Sequence, residues 1–217
     1  GADMIKVDQD YCKVMVFDGN APQFAWERNS GSGIEYFYLD GVWDPDVVLT
    51  NDKMYALVCF EIESHTCSNI YLSLWEYDGG GNYIEIVGNF GQYSFPHFID
   101  EGINPNIDIG FDDRFIITWH TCNESSEIKA IAGEYTGGVV DLSPNIALVA
   151  PETAWTPDVT ICYDYVTFTY IRLDEQYYTE WVTTETNYYD VYNDDIINQC
   201  TTHILRNSIG YDSGISG

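Results

Sequence analysis

Trp43-Asp44-Pro45-Asp46-Val47, Ile103-Asn104-Pro105-Asn106-Ile107 and Trp155-Thr156-Pro157-Asp158-Val159 are three copies of one pattern. Their prolines, Pro45, Pro105 and Pro157, stand 60 and 52 residues apart, and regular spacing on this scale is the signature of a repeat architecture. Each copy is followed by a polar turn and then by a strongly apolar run: Met54–Phe60, Phe115–His120 and Val166–Ile171. In Met54-Tyr55-Ala56-Leu57-Val58-Cys59-Phe60 both alternating sets of side chains are apolar, and the same holds for Phe115-Ile116-Ile117-Thr118-Trp119. A strand with one wet face alternates apolar and polar residues, so strands of this kind have to be covered on both sides. Small sheets stacked as blades around an axis achieve that, because each is sandwiched between its neighbours.

Working outward, a fourth copy without its proline opens the chain: Met4–Val7, the turn Asp8-Gln9-Asp10, then Tyr11–Phe17. Asp18-Gly19 follows that strand, and Asp78-Gly79-Gly80-Gly81-Asn82 separates Ile70–Tyr77 from Tyr83–Val87. Asn29-Ser30-Gly31-Ser32-Gly33 likewise parts Phe24–Arg28 from Ile34–Leu39. Asp-Gly supplies positive φ at little cost and marks hairpins. No sustained i, i+3, i+4, i+7 pattern with caps is present, so helices are not the cover. The expected fold is therefore all-β and β-propeller-like, with about four blades of roughly four antiparallel strands each. The chain reads as a single repeat domain over 1–217, with approximate repeats 1–42, 43–102, 103–154 and 155–217.

The Asn/Asp-Pro-Asp/Asn-Val/Ile pattern, its turn and the hydrophobic strand ending near Trp or Phe resemble tandem propeller-type repeats of secreted bacterial surface proteins. Asn69-Ile70-Tyr71-Leu72 and the Tyr77-Asp78-Gly79 turn complete the likeness. It covers most of Asp44–Arg172, is weaker at the N-terminus and fades after Thr186, where Asn187–Gly217 is expected to depart from a clean repeat. The resemblance implies a β-propeller and an extracellular setting; it implies no particular activity.

Lys and Arg number 8 against 35 Asp and Glu, a formal net charge of −27, while aromatics make up 16% of the chain. Eight scattered cations cannot neutralise a nucleic-acid backbone or hold an anionic membrane surface, so neither is an expected partner. The aromatic content supplies a core, which an acidic disordered segment lacks. No apolar run is long enough to span a bilayer, and Gly1–Lys6 carries no secretory signal pattern. The acidity and the Tyr, Thr and Asn content lean toward the cell surface or the extracellular space.

The six cysteines include no C-x-x-C pair. Cys59 and Cys67 flank an expected hairpin, and Cys162 and Cys200 share the C-terminal segment, so these four are the disulfide candidates; buried thiols are the competing reading. His65-Thr66-Cys67 and His120-Thr121-Cys122 repeat a tripeptide, and equivalent loops on different blades are expected to lie apart.

Asp40, Asp44 and Asp46 cluster around Gly41 and Pro45, and Asp108, Asp112 and Asp113 fall in the next repeat. Calcium takes six to eight oxygens at flexible geometry, which loop carboxylates provide, but no calcium-type Asp-x-Asp-x-Asp-Gly loop is present. Turn capping by Asp and Asn next to proline is the favoured alternative. Tyr177, Tyr178, Trp181, Tyr188, Tyr189 and Asp190, in a C-terminal segment expected to be irregular, combine aromatic faces with carboxylates and are the candidate glycan-binding set. No catalytic residue stands out, since among 35 acids some pair meets the spacing of glycoside hydrolysis by chance.

His203–Ile209 reads as a strand without a partner in its own repeat, able to close the wheel on Met4–Val7 or to pair with a second copy. The function expected from sequence is thus a non-catalytic extracellular propeller module for surface interaction or self-assembly into filaments. A calcium-assisted carbohydrate-binding lectin and a propeller glycoside hydrolase are the alternatives.

Overall fold

The computed structural model describes residues 2–7, 11–18, 21–28, 34–38, 43–62, 67–78, 83–123, 126–150, 153–162, 165–174, 179–190 and 195–206, with side chains described within 44–172. Every regular element among them is a β-strand, and all pairings are antiparallel. The first sheet holds β1 (Ala2–Val7), β2 (Tyr11–Asp18), β3 (Ala21–Arg28) and β4 (Ile34–Tyr38) in sequence order. The second holds β5 (Trp43–Leu49), β6 (Tyr55–Ile62) and β7 (Asn69–Tyr77), with β8 (Tyr83–Glu85) and β11 (His97–Glu101) sharing the outer edge of β7. Between those two, β9 (Gly88–Phe90) and β10 (Tyr93–Phe95) form a separate hairpin.

The third sheet repeats the plan: β12 (Ile103–Ile109), β13 (Arg114–His120) and β14 (Ile128–Thr136), with β15 (Val139–Leu142) and β16 (Ala147–Ala150) sharing the edge of β14. The fourth runs β17 (Ala154–Cys162), β18 (Tyr165–Asp174), β19 (Thr179–Asp190) and β20 (Asp195–Arg206). The hairpin β9–β10 has no counterpart between β15 and β16. It accounts for the longer of the two repeat spacings.

The two-faced apolar strands do what their pattern requires. Leu57 and Cys59 of β6 face the third sheet and join a core with Leu72, Leu74, Phe115, Ile117 and Trp119. The alternate residues Ala56, Val58 and Phe60 build a second cluster on the other face with Val47, Trp75 and Tyr83. On β13, Phe115, Ile117 and Trp119 look toward the second sheet, while Ile116 packs toward the fourth with Val166, Phe168 and Tyr170. The small residues Ala130 and Ala132 of β14 make room there for the Phe168 and Tyr170 rings. Sheet faces therefore bury against sheet faces, the arrangement of propeller blades.

The C-terminal segment differs from its sequence reading. It is regular, with β19 paired along its length to β18 and β20. His203–Arg206 belongs to β20 and pairs with Thr183–Glu180, and β1 pairs with β2. Thr-rich alternation in β19, Thr183-Thr184-Glu185-Thr186, hides a strand that hydrophobicity alone does not flag.

Candidate functional site

The first strands of the last three sheets, β5, β12 and β17, lie side by side. Each enters through the repeated motif, and each entry residue, Asp44, Asn104 and Thr156, takes a left-handed φ of 41°, 52° and 48°. The pairing register skips at the same place in all three, so each strand begins with a bulge. Left-handed backbone is costly for non-glycine residues, and such strain collects where a site over-determines it. Asp and Asn tolerate it best; Thr does not.

The bulges bring one polar residue per blade to one end of the bundle of inner strands. The exposed Asp44 carboxylate accepts a hydrogen bond from Asn104 Nδ2 at 2.7 Å through Oδ2. Glu61, buried at the end of β6, accepts the Asn104 main-chain N–H at 3.0 Å through Oε2. Two carboxylates, one open to water and one shielded from it, thus share one asparagine. In the next blade His120 stands at the register position of Glu61, and its Nδ1 accepts Thr156 N–H at 3.3 Å. Burial holds the His120 imidazole well below its ordinary value, at about 4, so at neutral pH it is an acceptor.

The acidic residues read as metal candidates are occupied otherwise. Asp46 Oδ2 accepts Ile107 N–H at 2.9 Å, Asn106 Oδ1 accepts Val159 N–H at 3.1 Å, and Asp108 Oδ2 accepts Ile161 N–H at 2.7 Å. These oxygens join the inner strands of successive blades. Asp112 binds the Arg114 guanidinium across the β12–β13 turn, and Asp113 Oδ1 ties that turn to Asn51 N at 2.6 Å. Among the described residues no group of three or more His, Cys, Asp or Glu is placed to hold a metal. Asp40 lies outside the described residues.

Cysteine pairing also differs from expectation. Cys67 is bonded to Cys122, with Cα atoms 5.6 Å apart, whereas Cys59 is buried in the core and Cys162 is exposed. Cys59 points into the core between sheets. Cys67 lies in the β6–β7 connection and Cys122 in the equivalent β13–β14 connection of the next blade, so these equivalent loops meet instead of lying apart as expected. One arm of each loop therefore meets the other across the gap between blades. Cys200 lies on β20.

Of the glycan-binding set, Trp181, Tyr188, Tyr189 and Asp190 lie along β19, with Trp181 opposite Arg172 and Tyr188 opposite Tyr165. They are spread over a strand instead of sharing a loop; Tyr177 and Tyr178 lie outside the described residues. Sequence reasoning passed over Glu61 and the pairing of Asp44 with Asn104. The repeat itself was the signal, since it places residue 44 opposite residue 104 in adjacent blades.

No family model matches the chain, and no curated protein matches it. Solved structures do. A GH43 endo-arabinanase from Bacillus licheniformis superposes with a TM-score of 0.51 at 12% identity, over 99% of this chain and 80% of that one. This chain is a β-propeller.

A native arabinanase of Bacillus subtilis gives 0.50 at 10% identity over 99% and 80% of the two chains. A GH32 beta-fructofuranosidase from Bombyx mori gives 0.50 at 9% identity over 90% and 47%. These are propeller glycoside hydrolases, and they overturn the reading of a non-catalytic module for surface interaction or self-assembly. The tail strand on which that reading leaned has its partner in β19.

Proposed function

We propose that the protein is a propeller glycoside hydrolase acting on neutral glycans, with Asp44 and Glu61 as its pair of carboxylates. The observation that carries the proposal is the Asp44–Asn104–Glu61 arrangement at the entry of the inner strands. Glycosidic cleavage uses two carboxyl groups flanking the bond, one giving a proton to the leaving oxygen and the other activating water or attacking the anomeric carbon. Asp44, exposed, is assigned the side open to water. Glu61, shielded, is assigned the proton donor. Asn104 holds both through separate nitrogens, so their relative placement is fixed by one residue of the next blade.

The likeness to arabinanases and a fructofuranosidase supports this chemistry on this fold. The charge of −27 disfavours acidic polysaccharides as substrates. The Cys67–Cys122 bond supports an oxidising, extracellular location.

The test is hydrolysis of arabinan and sucrose by the wild type and by Asp44→Asn and Glu61→Gln. Each variant is expected to lose at least about 100-fold in kcat, the scale of a removed general acid or base, with an unchanged melting temperature for Asp44→Asn. Azide restoring turnover to one of them assigns its role. Full turnover by Asp44→Asn, or no hydrolysis of either substrate by the wild type, overturns the proposal.

A further inference from the structure

The β9–β10 hairpin that lengthens the second repeat is anchored on the third blade. Gln92 Nε2 donates to Asp141 Oδ1 at 2.6 Å and to Tyr93 Oη at 3.1 Å. Tyr93 Oη accepts Leu142 N–H at 3.2 Å and donates to Leu142 O at 3.4 Å. Phe90 and Phe95 of the hairpin join the core between the blades. Under this brace lies a cavity of about 460 Å³ lined by residues of both blades. That volume falls within the range of about 300–1,000 Å³ usual for small-ligand sites.

Its floor is apolar, from Ile99, Ile131 and Leu142. Tyr93 and His97 stand edge to face with centroids 4.7 Å apart on one wall. Phe98 pairs with Tyr71 and turns its ring onto the other face of β11, with centroids 5.8 Å apart, so His97, which pairs with Leu72, supplies the aromatic surface on the cavity side. Neither Lys nor Arg lines the cavity. Burial pushes His97 below its ordinary value, leaving Asp141 as the one charged group of the lining. Such a cavity rejects anions. It offers an aromatic ring for an apolar face and a carboxylate, an amide and hydroxyls for polar groups around that face. A sugar ring has this combination of surfaces.

We propose that this cavity is a second carbohydrate-binding site, at the outer edge of the blades and remote from Asp44, that holds a short segment of a neutral oligosaccharide. The Tyr93–His97 wall packs on the sugar, and Asp141 with Gln92 binds its hydroxyls. The choice of ligand rests on the hydrolase reading; the site itself rests on the cavity. Its role would be to keep a polymeric substrate near the inner strands.

The experiment uses methyl-labelled full-length protein carrying Asp44→Asn, titrated with short arabinan fragments and with sucrose. Methyl signals of Ile99, Ile131 and Leu142 are expected to shift. Adding His97→Ala or Asp141→Ala is expected to weaken that binding about tenfold, the effect of removing one good contact. His97 is half-buried and Asp141 exposed, and retained folding is checked by the unchanged core methyls of Leu57 and Ile117. In an otherwise wild-type background, His97→Ala is expected to slow arabinan hydrolysis and to leave a short chromogenic substrate unaffected. No shift at the three methyls with either probe, or shifts that neither substitution weakens, overturns the inference while Asp44-dependent hydrolysis stands. Binding that both substitutions weaken, in a protein that hydrolyses neither glycan, sustains the inference while the hydrolase reading falls.

Discussion

Asp46 and Asn106 occupy the same place in successive repeats and use a side-chain oxygen for the same purpose, to accept a main-chain N–H from the inner strand of the next blade. The blades are joined there by side chains because inner strands of different sheets do not share a ladder. Asp46→Ala leaves the buried Ile107 N–H without that acceptor, which costs about 1–3 kcal/mol. Asp46→Asn, which keeps the acceptor oxygen, is expected to cost less; equal losses in urea titrations of the two variants would refute the role. His120 makes the parallel contact to Thr156 and can be switched by protons. Its folded pKa is lowered from 6.5 to about 4, so the unfolded chain binds the proton first as pH falls. The contribution of this residue is intact above pH 6.5 and is lost as the pH falls from there toward 4. His120→Asn, which retains an acceptor near Nδ1, is expected to flatten that part of the stability curve. A wild type and variant with the same slope over the window would show that His120 does not titrate there.

At the scale of elements, the blades were legible because binary pattern and turn chemistry agree on them. Met54–Phe60 and Phe115–His120 are apolar on both faces; the third sheet covers one face of the former while its other face builds a buried cluster, and the second and fourth sheets cover the two faces of the latter. The last blade was harder to read, since β19 is built from threonines, which favour strands without marking a buried face. Carboxylate roles were not legible either. Asp44, Asp46 and Asp108 share one sequence neighbourhood, yet one is exposed beside Asn104 and the others bond to backbone of the next blade. Which oxygen meets which N–H depends on the bulge at each strand entry, and a bulge leaves no mark in composition. The disulfide makes the same point, because only the two loop arms in space show that Cys67 meets Cys122. The bond spans 55 residues and staples the second blade to the third. On loop-closure entropy, Cys67→Ser with Cys122→Ser is expected to destabilise the fold by about 4 kcal/mol. A reductant should lower the melting temperature of the wild type and leave that of the double variant unchanged. Insensitivity of the wild type to reductant would show that the staple contributes nothing.

For the whole molecule, the charge of −27 is the largest unbalanced term. The acids lie both on exposed strand positions, such as Glu76, Glu134 and Asp141, and in turns, such as Asp52 and Asp112, and they repel one another over distances comparable to the Debye length of about 8–10 Å at physiological salt. Self-repulsion of this kind opposes compaction and is relieved by any added electrolyte. Three of the acids expected to gather around calcium, Asp46, Asp108 and Asp113, instead bind backbone N–H groups, and Asp112 binds Arg114. Screening, not coordination, should therefore govern the response to cations. The melting temperature is expected to rise smoothly with sodium chloride, and calcium chloride at equal ionic strength should match it. A step in stability saturating at low calcium, absent with magnesium at the same concentration, would contradict this and would point to residues beyond those described. The same field also acts on substrates. If the hydrolase reading holds, salt should raise activity toward acidic glycans from a low base and leave activity toward arabinan nearly constant, because only the charged substrate has a repulsion to be screened.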